Sequence, residues 1–166
     1  MREELVTPPT ARRLATAGLT WEPQIGDWCS VMGGVHLTET QTGMWLVVNV
    51  SQANGVIAFV DADGRWPISQ ASIRDCLWLP NAGKLKMWLR SKGNRVATGE
   101  TYTQLLGGSS PILHGICRIT PSGLTATPQD FEGLNEVEAV AAAVLHVLGA
   151  GAPPAAPIPG NTPFSG

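Results

Sequence analysis

The chain has 166 residues, 43% hydrophobic and 14% charged, with a net charge of −2. That length suits one domain of roughly 100–150 residues with a buried core, and the near-neutral balance gives no global signal for nucleic acid or an anionic membrane. No apolar run reaches the ~18–20 residues of a membrane span, and the opening MREELVTPPTARRLA lacks the apolar centre of a signal peptide, so a cytoplasmic protein is expected.

Taken in order, Thr7-Pro8-Pro9 reads as a helix start, with threonine capping and proline in the first turn. Ala11, Leu14 and Ala15 share one face, Arg12-Arg13 faces water, and Gly18 stops the helix. Pro23 and Gly26-Asp27 bracket a turn before a strand over Asp27–Met32, on which Trp28 and Cys29 point to opposite faces. Val35–Thr42 reads as a connection. Met44–Val50 is apolar on both faces and predicts a central strand. Asn54-Gly55 predicts a hairpin into Val56–Val60, and Asp61-Ala62-Asp63-Gly64 turns into a third run at Arg65-Trp66, placed on an edge by Pro67. The middle third is thus expected to form a β-meander on which the helices lie.

Ser69–Asp75 predicts one helical turn, and Asp75–Leu79 a further strand stopped by Pro80. Asn81 caps a helix over Ala82–Ser91, with Leu85, Trp88 and Leu89 on its apolar side. A short third helix is expected over Thr98–Leu106, a strand over Pro111–Thr120, and a weak hairpin return at Leu124–Thr127. Asn135 with Glu138 three residues on forms a capping-box pattern for a last helix, whose stripe is Val137, Val140, Val144, Leu145 and Leu148 before Gly149. The expected architecture is α+β: residues 1–149 form a single domain, a small twisted, mainly antiparallel sheet covered by two or three helices. Residues 150–166, rich in Pro, Ala and Gly, form a disordered or extended tail.

Ala17-Gly18-Leu19-Thr20-Trp21-Glu22-Pro23-Gln24-Ile25-Gly26-Asp27, then Trp66, then Cys76-Leu77-Trp78-Leu79-Pro80 with Leu85 and Leu89, resembles a group of small bacterial proteins. These are common in actinobacteria, of a phage-associated type, and carry the label "pilus assembly protein HicB". The likeness spans about Ala11–Gly93, and the helix at Glu136–Leu148 also fits. Its motifs are a turn, a strand end and a helix start, so it implies no catalytic residue. The label implies an antitoxin with a DNA-binding segment, but no helix-turn-helix or ribbon-helix-helix stretch is evident.

The residues that carry chemistry are few. Six tryptophans are present, and Trp21, Trp28, Trp45 and Trp66 suggest an aromatic wall, with Arg65 beside Trp66 adding a guanidinium for a phosphorylated ligand. The bland alternative is that the indoles fill the core. Lys84, Lys86, Arg90, Lys92 and Arg95 make a basic run beside Trp88, either a nucleic-acid surface or a solvated helix face. The three cysteines, Cys29, Cys76 and Cys117, lie among apolar neighbours and read as buried reduced thiols. No Cys or His pair has metal-ligand spacing, and Asp61-Ala62-Asp63-Gly64 lacks the later ligands of a calcium loop. Gly107-Gly108-Ser109-Ser110 has no P-loop lysine behind it. The expected function is a non-enzymatic binding module without a cofactor, for a phosphorylated small molecule or a protein partner in the manner of an inhibitor or sponge. A nucleic-acid-binding or HicB-like regulator is the alternative, and an enzyme whose site assembles only in three dimensions is the third reading.

Overall fold

The structure is a computed structural model that describes residues 4–31, 43–61, 68–103, 112–151 and 164–165. The expected connection at Val35–Thr42, the Arg65-Trp66 run and the Gly107–Ser110 loop lie outside these residues. So does most of the tail.

Among the described residues the chain is α+β, with three helices: α1 (Pro8–Thr16), α2 (Ala82–Ser91) and α3 (Glu136–Val147). One antiparallel sheet is built from β1 (Trp28–Val31), β2 (Trp45–Ser51), β3 (Val56–Asp61), β4 (Ser69–Ser72) and β5 (Cys76–Trp78), in the order β4-β3-β2-β1-β5. A second is built from β6 (Asn94–Thr103), β7 (Ile112–Pro121), β8 (Gln129–Gly133) and β9 (Phe164–Ser165), in the order β8-β7-β6-β9.

The β2–β3 hairpin forms as its turn residues demand, with Gly55 at φ +61° and Val50 opposite Ile57. β4, not Arg65-Trp66, is the third strand described in that meander. Ser69–Ser72 pairs with β3, and only Ile73–Asp75 winds into a 3-10 turn, where Ser72 Oγ accepts from the Arg74 amide at 3.4 Å. Where a helix was expected over Thr98–Leu106, Thr98–Thr103 is the second half of β6, and residues 104–106 lie outside the described residues. Asn94, Val96 and Thr98 are buried while Arg95 is exposed and Ala97 only half-buried, a two-residue period that sheet pairing reads and a helix would scramble. The return strand is Gln129–Gly133 rather than Leu124–Thr127, because that register sets Arg118 opposite Asp130 in a two-pronged pair at 2.6 and 2.7 Å.

The helices do not lie on the meander. α2 and α3 cover the second sheet, with α3 central to that layer, and α1 packs on α3 and against β5. Val137, Ala139, Val140, Ala141, Ala143, Val144 and Leu145 are all buried, so its apolar surface wraps more than one stripe. Leu85 and Leu89 of α2, Leu14 of α1, Cys117, Ile119 and Phe131 of the sheet, and Leu77 and Leu79 at β5 complete this larger core. A smaller core on the first sheet gathers Cys29, Val31, Trp45, Val47, Ile57, Phe59 and Ala71.

Two paired glycines set how closely α3 approaches. Gly115 and Gly133 are opposite each other on β7 and β8. A Cβ at Gly115 would meet the Asn135 carbonyl group at 2.2 Å, and one at Gly133 the Ala139 nitrogen at 2.3 Å. These contacts are backbone atoms that cannot swing aside. Asn135 Oδ1 accepts from the Glu138 amide at 3.0 Å, but the Glu138 carboxylate does not close the capping box. It reaches α1 instead, accepting from the Thr7 amide at 2.8 Å and Thr10 Oγ1 at 2.6 Å. Gly115→Ala and Gly133→Ala should each destabilise the protein by about 3 kcal/mol through overpacking. Urea unfolding midpoints measure this, and a midpoint unchanged in either variant would contradict the close seating of α3.

Candidate functional site

The first turn of the β1 approach is built on Asp27. Its side chain is 3% exposed and is held by polar partners. Oδ2 accepts from Trp21 Nε1 at 3.0 Å and from the Gln24 amide at 2.9 Å, while Lys84 Nζ stands 3.3 Å from Oδ1. Lys84 also donates to Gln24 Oε1 at 2.7 Å. A buried carboxylate needs such partners, since unpaired burial would cost several kcal/mol. The consequence is local order: the Trp21 ring cannot turn without breaking a hydrogen bond to a charge.

Held in this way, Trp21 lies parallel to Trp78 of β5, with centroids 6.4 Å apart and planes 5° apart. The two indoles line one side of a cleft of about 210 Å³ between α1 and β5. Ala11, Leu14 and Ala15 of α1 form the opposite side, and Leu19, Ile73, Leu77 and Pro80 fill in the rest. Cys76 also borders the cleft, and none of the lining side chains is charged. A second recess of about 320 Å³ lies behind α1, lined by Arg12, Arg13, Thr16, Ala17, Leu145 and Ala150.

The thiols differ sharply. Cys29 is fully buried, and its thiol donates to Cys76, which with burial and the nearby Asp27 pushes its own pKa far up. The same hydrogen bond lowers the pKa of Cys76, against burial and the charge of Asp75. Cys117 is pushed up to about 12, first by burial, then by Glu136 and Asp130, with Lys86 acting the other way.

The residues singled out from sequence are dispersed. Cys29 is opposite Trp45 on one side and Trp78 on the other, whereas Trp28 is opposite Leu46. Trp28 and Trp45 therefore point to opposite faces of the first sheet. Trp28 packs on the larger core. Trp45 is 3% exposed in the smaller one, tilted against Phe59 at 5.0 Å, with no acceptor for its Nε1 among the described residues. Arg65 and Trp66 lie outside the described residues. On the basic run, Lys84 is held by Asp27, and Lys86 pairs with Glu136 and donates to Thr98 at 3.1 Å. Lys92 sits 5.5 Å over the Trp88 ring, and Arg90 and Arg95 are exposed.

Sequence reasoning did not find the Trp21–Trp78 pair or the contact between Cys29 and Cys76, since both depend on β5 pairing with β1 across 45 or more positions. Among the described residues, no group of three or more His, Cys, Asp or Glu could hold a metal ion. No described helix is long and apolar enough to cross a membrane.

Comparison with protein families, with curated proteins and with solved structures found no match.

Asp27→Ala should cost about 3 kcal/mol, because it leaves the Trp21 Nε1 and the Gln24 amide without their acceptor and Lys84 without its counter-charge. Lys84→Ala should cost only about 1 kcal/mol, since that ammonium is partly exposed, water can take its place beside Oδ1, and Asp27 keeps both hydrogen bonds to Oδ2. Denaturant melts compare the two, and equal costs would show that Lys84, not the hydrogen-bonded turn, dominates.

Proposed function

We propose that the chain is a non-enzymatic binding module whose site is the α1–β5 cleft, and that this cleft takes an uncharged, planar apolar group of about one ring. The observation that carries the reading is the parallel Trp21–Trp78 pair lining a cavity of about 210 Å³ with no charged side chain in its lining. Dry apolar cavities of about 150 Å³ hold a single benzene ring, so the volume fits an aromatic side chain of a protein partner or a small aromatic molecule. Tryptophan faces favour such rings by offset stacking.

An apolar lining supports an uncharged ligand over a phosphorylated one. A phosphate would find no cation in this lining, whereas Arg12 and Arg13 border the other recess. The antitoxin-type alternative needs a basic surface on α2, and the internal pairing of Lys84 and Lys86 leaves Arg90, Lys92 and Arg95 as the exposed charges of the run. That observation is the reason the cleft is preferred.

Titration of toluene or phenol into the labelled protein should shift the Trp21 and Trp78 indole N–H resonances and raise the melting temperature. Trp78→Ala should abolish both effects while the protein stays folded. Unmoved indole resonances at saturating toluene would remove the cleft as the site. Binding of random DNA or RNA that falls steeply with added salt would favour the α2 surface in its place.

A further inference from the structure

Cys29 and Cys76 occupy adjacent antiparallel strands, in the registers Cys29↔Trp78 and Val31↔Cys76. The two thiols are therefore diagonal neighbours on one face, and they hydrogen-bond to each other. They differ in access. Cys29 has no exposed surface, whereas Cys76 is half-buried, borders the α1–β5 cleft, and donates to the Ser72 carbonyl at 3.3 Å. A half-buried cysteine bordering a cavity, with a second, buried cysteine diagonal to it on the same strand face, is an arrangement suited to two-step thiol oxidation.

We propose that Cys76 is an oxidation site for a small hydroperoxide that enters through the cleft, and that Cys29 is the resolving thiol that converts the product to a disulfide. In the first step the Cys76 thiolate attacks the terminal oxygen of the hydroperoxide. An S–O bond forms, the O–O bond breaks, and the alkoxide departs as an alcohol after taking a proton from solvent. Cys76 is then a sulfenic acid. In the second step the Cys29 sulfur attacks the Cys76 sulfur, the S–S bond forms, the S–O bond breaks, and the hydroxide leaves as water with the Cys29 proton. Together the thiols give up two electrons, and the hydroperoxide accepts both.

The division of roles follows from the environment. The thiolate is the reactive form, and the hydrogen bond from Cys29 favours it at Cys76 while keeping the proton on Cys29. Diagonal positions on paired strands are ~7–8 Å apart, a little beyond ordinary disulfide spans. β5 must therefore shift slightly toward β1. It is a three-residue strand on the outer side of its sheet, entered from a single 3-10 turn, so it has a neighbouring strand on one side only. Cys117, fully buried in the other core, is the internal control.

The proposal uses the same cleft as the binding reading but not its occupant. The test treats the reduced full chain with hydrogen peroxide or tert-butyl hydroperoxide, followed by intact mass and peptide mapping. The expected product is a chain lighter by two hydrogens, with the Cys29 and Cys76 peptides joined, Cys117 untouched, and full reversal by dithiothreitol. Cys29→Ala should halt at a Cys76 sulfenic acid that dimedone traps, and should move the midpoint of Cys76 alkylation to higher pH, because the hydrogen bond that favours the thiolate is gone. Cys76→Ser should leave Cys29 unoxidised. Oxidation of Cys117 before Cys76, or failure to join Cys29 to Cys76, would overturn the proposal. If Cys29→Ala does not fold, the wild-type map and Cys76→Ser still decide. Intact oxidation without toluene binding would sink the binding reading alone, and toluene binding without oxidation would sink this one alone.

Discussion

The seating of α3 on the Gly115–Gly133 pair is the constraint on which the other elements depend. Backbone meets backbone there, at distances that leave no room for a Cβ. That proximity sets the first turn of α3 beside α1, α2 and β6, where its two carboxylates act in different directions. Glu138 fixes the start of α1, and Glu136 pairs with Lys86 of α2 and accepts from Thr98 of β6 at 3.2 Å. An ordinary helix start would keep its acidic residues for its own amides. Here the cap is left to Asn135, and the acids tie neighbouring elements together.

The cleft follows from this arrangement. α1 is held on one side through Glu138, and β5 is held on the other by β1 and by Leu77 and Leu79 in the larger core. Between them the chain carries Asp27, which orients Trp21 and engages Lys84 at once. The cavity is thus bordered by α1, by β5 and by the connecting segment in which Asp27 holds Trp21. A preformed site of this type loses little freedom when it is filled.

Much of the fold was legible because local signals and long-range packing agreed. Asn81, Asn135, Gly18 and Gly149 mark helix ends as their chemistry dictates, and Asn54-Gly55 marks the hairpin. β6 was misread because Tyr102, Leu105 and Leu106 imitate a helical stripe, whereas the pairing of Asn94–Thr103 with Ile112–Pro121 is a non-local fact. The placement of α2 and α3 on the second sheet was hidden for a similar reason: the cue lay in Gly115 and Gly133, which no local signal in the sequence sets apart. The site was less legible still. Tryptophan content pointed to aromatic surfaces, but only strand register shows that Trp28 and Trp45 face apart while Trp21 and Trp78 come together.

The ties between α1 and α3 join positions 131 and 128 residues apart. Such distant contacts raise contact order, and their loop-closure entropy must be overcome before burial rewards them. During synthesis, α1, α2 and the first sheet emerge well before the segment that completes the larger core. Leu14, Leu85 and Leu89 thus present apolar surface to the cell until Val137–Leu145 arrives. Assembly of this protein is therefore a late, concerted event governed by its carboxy-terminal helix, and the interval before it is when chaperone capture or premature aggregation would compete with folding.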